Sequence, residues 1–121
     1  YINRGMLNEL NEFFYVSLDL GETAGIIQNA VVNGSLTGTL IDRYTAESPS
    51  GGACTVLVFE KHFYRAGNRL TLTVVLDDFC GKTRVHSVGG GGGEGFFRFD
   101  WGASKSFASV VENALREYIV P

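Results

Sequence analysis

Two neighbouring runs, 53–63 and 68–79, constrain this chain more than any other feature, because both are rich in apolar and β-branched residues and only Tyr64-Arg65-Ala66-Gly67 separates them. Such runs read as strands, and so short a connection folds two of them into an antiparallel hairpin. Opposed residues in a hairpin share one side of the sheet. Pairing Leu57 with Leu76 sets Phe59 opposite Val74, Lys61 opposite Leu72 and Phe63 opposite Leu70, an almost wholly apolar side. The reverse side then pairs Val56 with Asp77, Val58 with Val75, Glu60 with Thr73 and His62 with Thr71. A third run, 82–88, follows through Cys80-Gly81. It places Val85 beside Leu76, Arg84 beside Asp77 and His86 beside Val75, and completes a meander with two unlike sides.

The remaining segments supply the second layer. Residues 11–20 carry Phe13, Phe14, Tyr15, Val16 and Leu18 and read as a first strand. Ala24, Ile27, Ala30 and Val31 then recur at helical spacing, with Asp19 or Thr23 as N-cap and Asn33-Gly34 as a left-handed stop. Residues 36–45 form a second strand, and Ser48-Pro49-Ser50-Gly51-Gly52 a mobile loop. After the meander, 96–99 give a brief edge strand. The last helix follows, with Phe107, Val110, Val111, Ala114, Leu115 and Tyr118 on one stripe. Two amphipathic helices need an apolar surface, and the Leu57/Phe59/Leu72/Val74/Leu76/Val85 side is the one able to receive them. The expected fold is α+β and two-layered, in the order β-α-β-β-β-β-α, with both helices on one face of a mainly antiparallel sheet. It comprises one domain, 13–121, behind an N-terminal extension, 1–12.

Composition narrows the function classes. A net charge of −3 without a dense Lys/Arg cluster disfavours nucleic acid, since phosphate neutralisation needs a basic patch. The longest apolar runs fall far short of a membrane span, and Tyr1 to Met6 lack the pattern of a secretory signal. A soluble, cytoplasmic protein is expected. Cys54 and Cys80 are the only cysteines and lack C-x-x-C spacing; they are expected as free thiols, Cys54 packing and Cys80 at a turn.

Candidate chemistry is sparse. Gly89, Gly90, Gly91, Gly92 and Gly93 lack both the Gly-Lys-Ser/Thr ending of a phosphate loop and the following helix of a dinucleotide turn. They read as a flexible connector, with an anion cradle assisted by Arg84 or His86 as the rival reading. Cys80 with His86 as base is a weak catalytic pair. His62 and His86 with Asp77 and Asp78 offer donors for a metal, but Asp77 more simply pairs with Arg84 across the hairpin. No cofactor, metal or catalytic residue is assigned.

Residues 55–76 and 77–97, with Asn68-Arg69-Leu70, Thr83-Arg84-Val85, the glycine cluster and the helix after it, resemble a family of small bacterial α+β domains without an assigned activity. The resemblance begins at Phe13. It implies a strand–helix–meander–helix plan and contributes no catalytic residue or cofactor. Function therefore rests on the uncovered side, where Val56, Val58, Val75 and Val88 stand among His62, Thr71, Thr73, Asp77, Arg84 and His86. Such a mixture suits a partner or a ligand better than solvent alone. The expectation is a non-enzymatic interaction module that meets a homo-oligomeric or other protein partner through Val56, Val58, His62, Thr73, Val75 and Val88. The alternatives are a small anionic-ligand protein or enzyme using the glycines, and a secretion-chaperone-like adaptor.

Overall fold

The computed structural model describes residues 13–34, 38–63, 68–92 and 109–121. The elements run β1 (Phe13–Val16), α1 (Leu20–Asn33), β2 (Thr39–Glu47), β3 (Ala53–Phe63), β4 (Asn68–Asp77), β5 (Thr83–Gly92), α2 (residues 109–115), a 3-10 turn (Arg116–Tyr118) and β6 (Ile119–Val120). Among the described residues all strand pairs are antiparallel, and they build one six-stranded sheet in the order β2-β3-β4-β5-β1-β6. The α+β class and the element order agree with the sequence reading. The expected extension 1–12, the strand 96–99, the connection 64–67 and the start of the last helix lie outside the described residues.

Each boundary has a local cause. The Asp19 carboxylate accepts from the Glu22 N–H at 2.7 Å, and the Thr23 hydroxyl donates to the Asp19 carbonyl, so α1 begins at Leu20 and β1 stops well before it. Thr83 Oγ1 donates to the Leu18 carbonyl at 2.7 Å, which ties this corner to β5. The far end of α1 corrects the expected left-handed stop. Gly34 has φ −88°, and glycine is needed there because a Cβ would collide with the Ala30 carbonyl oxygen. β4 ends at Asp77 rather than Phe79 because Asp78 leaves the ladder: its carboxylate accepts from the Ala53 N–H at 2.8 Å and its carbonyl from the Gly81 N–H. The segment expected as a mobile loop is a compact turn, with Ser48 N–H donating to the Gly52 carbonyl and Gly51 N–H to that of Ser48.

Register differs from expectation on one hairpin and agrees on the other. β4 and β5 pair as read, Leu76 with Val85, Asp77 with Arg84 and Val75 with His86. Along β3 and β4 the pairing is shifted by two residues: Leu57 faces Val74, Phe59 faces Leu72, Val56 faces Val75 and His62 faces Arg69. This shift continues the ladder to Phe63 opposite Asn68 and sets Ala53 beside Asp78, where two hydrogen bonds close its far end. A shift of two leaves every side chain on its expected face, because strands repeat with period two.

The core is therefore the one expected. Leu57, Phe59, Leu72, Val74, Leu76 and Val85 are all fully buried, against Ala24, Ile27 and Val31 from α1 and Val111 and Leu115 from α2. Transfer of each such side chain from water contributes about 1.5–3 kcal/mol. Val74 and Val75 test the two faces directly, being the same residue on opposite sides of one strand. Val74→Ala is expected to cost about 2 kcal/mol and Val75→Ala less than about 1 kcal/mol, read from urea unfolding midpoints. Equal losses would contradict the assignment.

Candidate functional site

Neither described helix lies on the reverse face, since both bury their apolar stripes on the other side. Strand pairing arranges that reverse face in rows across the sheet. One row runs Tyr44, Val56, Val75, His86 and Phe13 from β2 to β1. On one flank lie Asp42, Val58, Thr73 and Val88, and on the other Ala46, Cys54, Asp77, Arg84, Tyr15 and Val120. At a strand spacing of about 4.8 Å, the central row is an apolar stripe roughly 19 Å long, interrupted by one imidazole. Its ends stand well out into solvent, Tyr44 60% and Phe13 47% exposed, and Val88 beside it is 50% exposed.

The flank that crosses β4, β5 and β1 is polar and tightly organised. Arg84 donates to both Asp77 oxygens, Nε at 3.0 Å and Nη2 at 3.2 Å, the pair read from the sequence. That hydrogen-bonded carboxylate, and then its charge, hold the Arg84 pKa above the ordinary arginine value. Arg84 also lies 5.9 Å from the Phe13 ring centre, and Lys82 4.8 Å from that of Tyr15, while Phe13 and Tyr15 meet edge to face. Phe13, Tyr15 and Tyr44 were not among the expected contact residues. The alternation of β1 does put Phe13 and Tyr15 on one side and Phe14 and Val16 on the other, but only its placement beside β5 shows which side is which.

The histidines are not brought together. His62 accepts from Arg69 Nε at 3.0 Å near the end of β3, and Arg69 also lies 3.3 Å from Glu60. His86 sits in the central row, six residues away along the strand direction, or about 20 Å. Among the described residues no three His, Cys, Asp or Glu side chains gather as a metal site. Gly89, Gly90, Gly91 and Gly92 continue β5 opposite Leu72, Thr71, Leu70 and Arg69, where the sequence suggests a connector; Gly93 lies outside the described residues. Gly91 has φ +98° and presses against the Arg69 backbone, so glycine is required there by conformation and by space. A cavity of about 620 Å³ opens on the helix side between α1 and the C-terminal segment and is lined by Ile26, Ala30, Ala114 and Tyr118, with Glu22 and Asn29 as polar members.

Both cysteines are free. Cys54 sits opposite Asp77, and burial first and that carboxylate second raise its thiol pKa. Cys80 is exposed at the turn before β5.

The model of a family of unknown function, DUF6054, matches residues 13–119. No curated protein and no solved structure matched the chain.

Asp77→Asn keeps the shape of the polar flank but removes its charge, and a loss of about 1 kcal/mol is expected, by chemical denaturation, for this pair of a buried carboxylate and a partly exposed guanidinium. For the thiols, a disulfide reagent at pH 8 is expected to modify Cys80 quickly and Cys54 slowly. The raised Cys54 pKa means that the folded state holds this proton more tightly than the unfolded chain. Its stabilising contribution is complete below the ordinary thiol value of 9.0 and is lost as pH rises through the raised one. Stability should therefore fall less steeply above that pH in Cys54→Ala than in wild type.

Proposed function

We propose that this chain, which belongs to DUF6054, a family of unknown function, is a non-enzymatic interaction module that receives a protein partner on its open sheet face. One observation carries the reading: the Tyr44-Val56-Val75-His86-Phe13 row is apolar, crosses five strands and has exposed aromatic rings at both ends. Strand propensity favours valines and aromatics at single positions, but it gives no reason for them to line up in one row across five strands, which supports a contact. The flanking groups match the usual anatomy of a contact, an apolar centre with a polar border. Asp77 and Arg84 satisfy each other there, which lowers the cost of covering them.

Chemistry on the same face has weaker support. The two imidazoles are far apart, and the raised Cys54 pKa keeps that thiol in its poorly nucleophilic form at neutral pH. The glycines, with their backbone committed to the β4 ladder as far as Gly92, lend little to an anion cradle. Free thiols at Cys54 and Cys80 accord with a reducing, cytoplasmic setting.

Val58→Lys/Val75→Lys tests the reading, because it charges the face without touching the core. Proteins recovered with the wild-type chain are purified and titrated against the double variant by calorimetry. Binding is expected to weaken by at least about ten-fold, with circular dichroism and melting temperature close to wild type. Equal affinity for both forms would overturn the proposal.

A further inference from the structure

We infer that the β2 edge is a pairing edge for a second copy of this chain, joined antiparallel about a two-fold axis at Thr45. Among the described residues β2 is an outermost strand, and all of its residues but Leu40 are exposed. Its irregularity is confined to the stretch between Leu40 and Asp42; from Asp42 to Glu47 it is regularly paired with β3, so its other side offers a regular ladder.

A two-fold axis perpendicular to the sheet keeps the faces of both copies aligned, which limits the register to positions where a residue meets its own copy. Centring on Asp42 opposes two carboxylates, and centring on Arg43 opposes two guanidiniums. Centring on Tyr44 brings Glu47 against the irregular stretch at Ile41. Centring on Thr45 places Arg43 opposite Glu47 of the second copy, and the reverse, so that two opposite-charge pairs form at once. On the other face the same register sets the bulky Tyr44 opposite the small Ala46.

The charges of this strand have another ready interpretation, that they guard an edge against pairing, as edge charges commonly do. Guarding works when the charges repel in every register. Here they alternate in sign along one side, Arg43 and Glu47 being separated by Thr45, and so attract their own copy in one register. Arg43 Nη1 donates to Gln28 Oε1 at 2.6 Å, which anchors the side chain to α1 and leaves further guanidinium donors for a carboxylate. The product is one continuous sheet of twelve strands, twice the six of a single copy, that carries two open faces side by side.

Sedimentation equilibrium of the full chain tests the inference through charge reversal. The wild type is expected to show a concentration-dependent dimer. Arg43→Glu and Glu47→Arg, each turning two attractive pairs into two repulsive ones, are expected to raise the dimer dissociation constant by about ten-fold. Combining them restores the attraction and should return it close to wild type. Glu47→Arg leaves the Gln28 contact intact and so separates pairing from any loss on the α1 side. As a positional check, Thr45→Cys should cross-link spontaneously between copies and Ala46→Cys, which faces Tyr44, should not. A monomeric wild type, single variants that dimerise as well as wild type, or a double variant that fails to recover would each overturn the two-fold at Thr45. Because Val58→Lys/Val75→Lys leaves β2 untouched, a dimer that persists in it while partner binding is lost distinguishes edge from face.

Discussion

The segregation of side chains by β3 and β4 is the constraint on which the rest of the molecule depends. Each strand sends its largest apolar residues one way and leaves only valines among polar groups on the other, and the burial of Leu57, Phe59, Leu70, Leu72, Val74 and Leu76 fixes where both helices dock. Reversing either strand would move a leucine face into water and bring Glu60 and Thr73 under α1. That penalty, many times the worth of any single hydrogen bond, makes parity nearly inviolable while leaving register open to steps of two.

That same physics explains what the sequence discloses. Parity is written into every second residue, so the core, the helices over it and the valines on the reverse side are legible without coordinates. Steps of two are not written there: Leu57 packs as well opposite Val74 as opposite Leu76, and the choice falls to Asp78, whose carboxylate reaches the Ala53 N–H. Asp77 with Arg84 is legible because the turn between β4 and β5 is short. The position of β1 between β5 and β6 is not, because it depends on partners far away in the chain, and β6 is only two residues long. Phe13, Tyr15 and Tyr44 consequently enter the candidate site only with the structure.

Polar groups at one end of the sheet do work that the core does not. Asp77 receives Arg84 and also the Phe79 N–H, so one carboxylate joins β4 to β5 and shapes the turn between them. Asp78 ties the same turn to the start of β3, and Thr83 ties β5 to the chain entering α1. The reverse face, which neither described helix covers, is bordered along this flank by Asp77 and Arg84, which already have their partners. A protein settling on the stripe would meet a border with little unmet hydrogen-bonding capacity.

The opposite end of β5 is built from Gly89, Gly90, Gly91 and Gly92. Holding four glycines in order costs roughly 2–4 kcal/mol relative to alanines, and none contributes a side chain to packing. The β4–β5 ladder is therefore graded in strength, anchored where Arg84 grips Asp77 and weakest beside Arg69 and Leu70. In the language of local unfolding, this end of the β4–β5 ladder is expected to open before the end held by Arg84, its amide protons exchanging earlier while the anchored end stays closed.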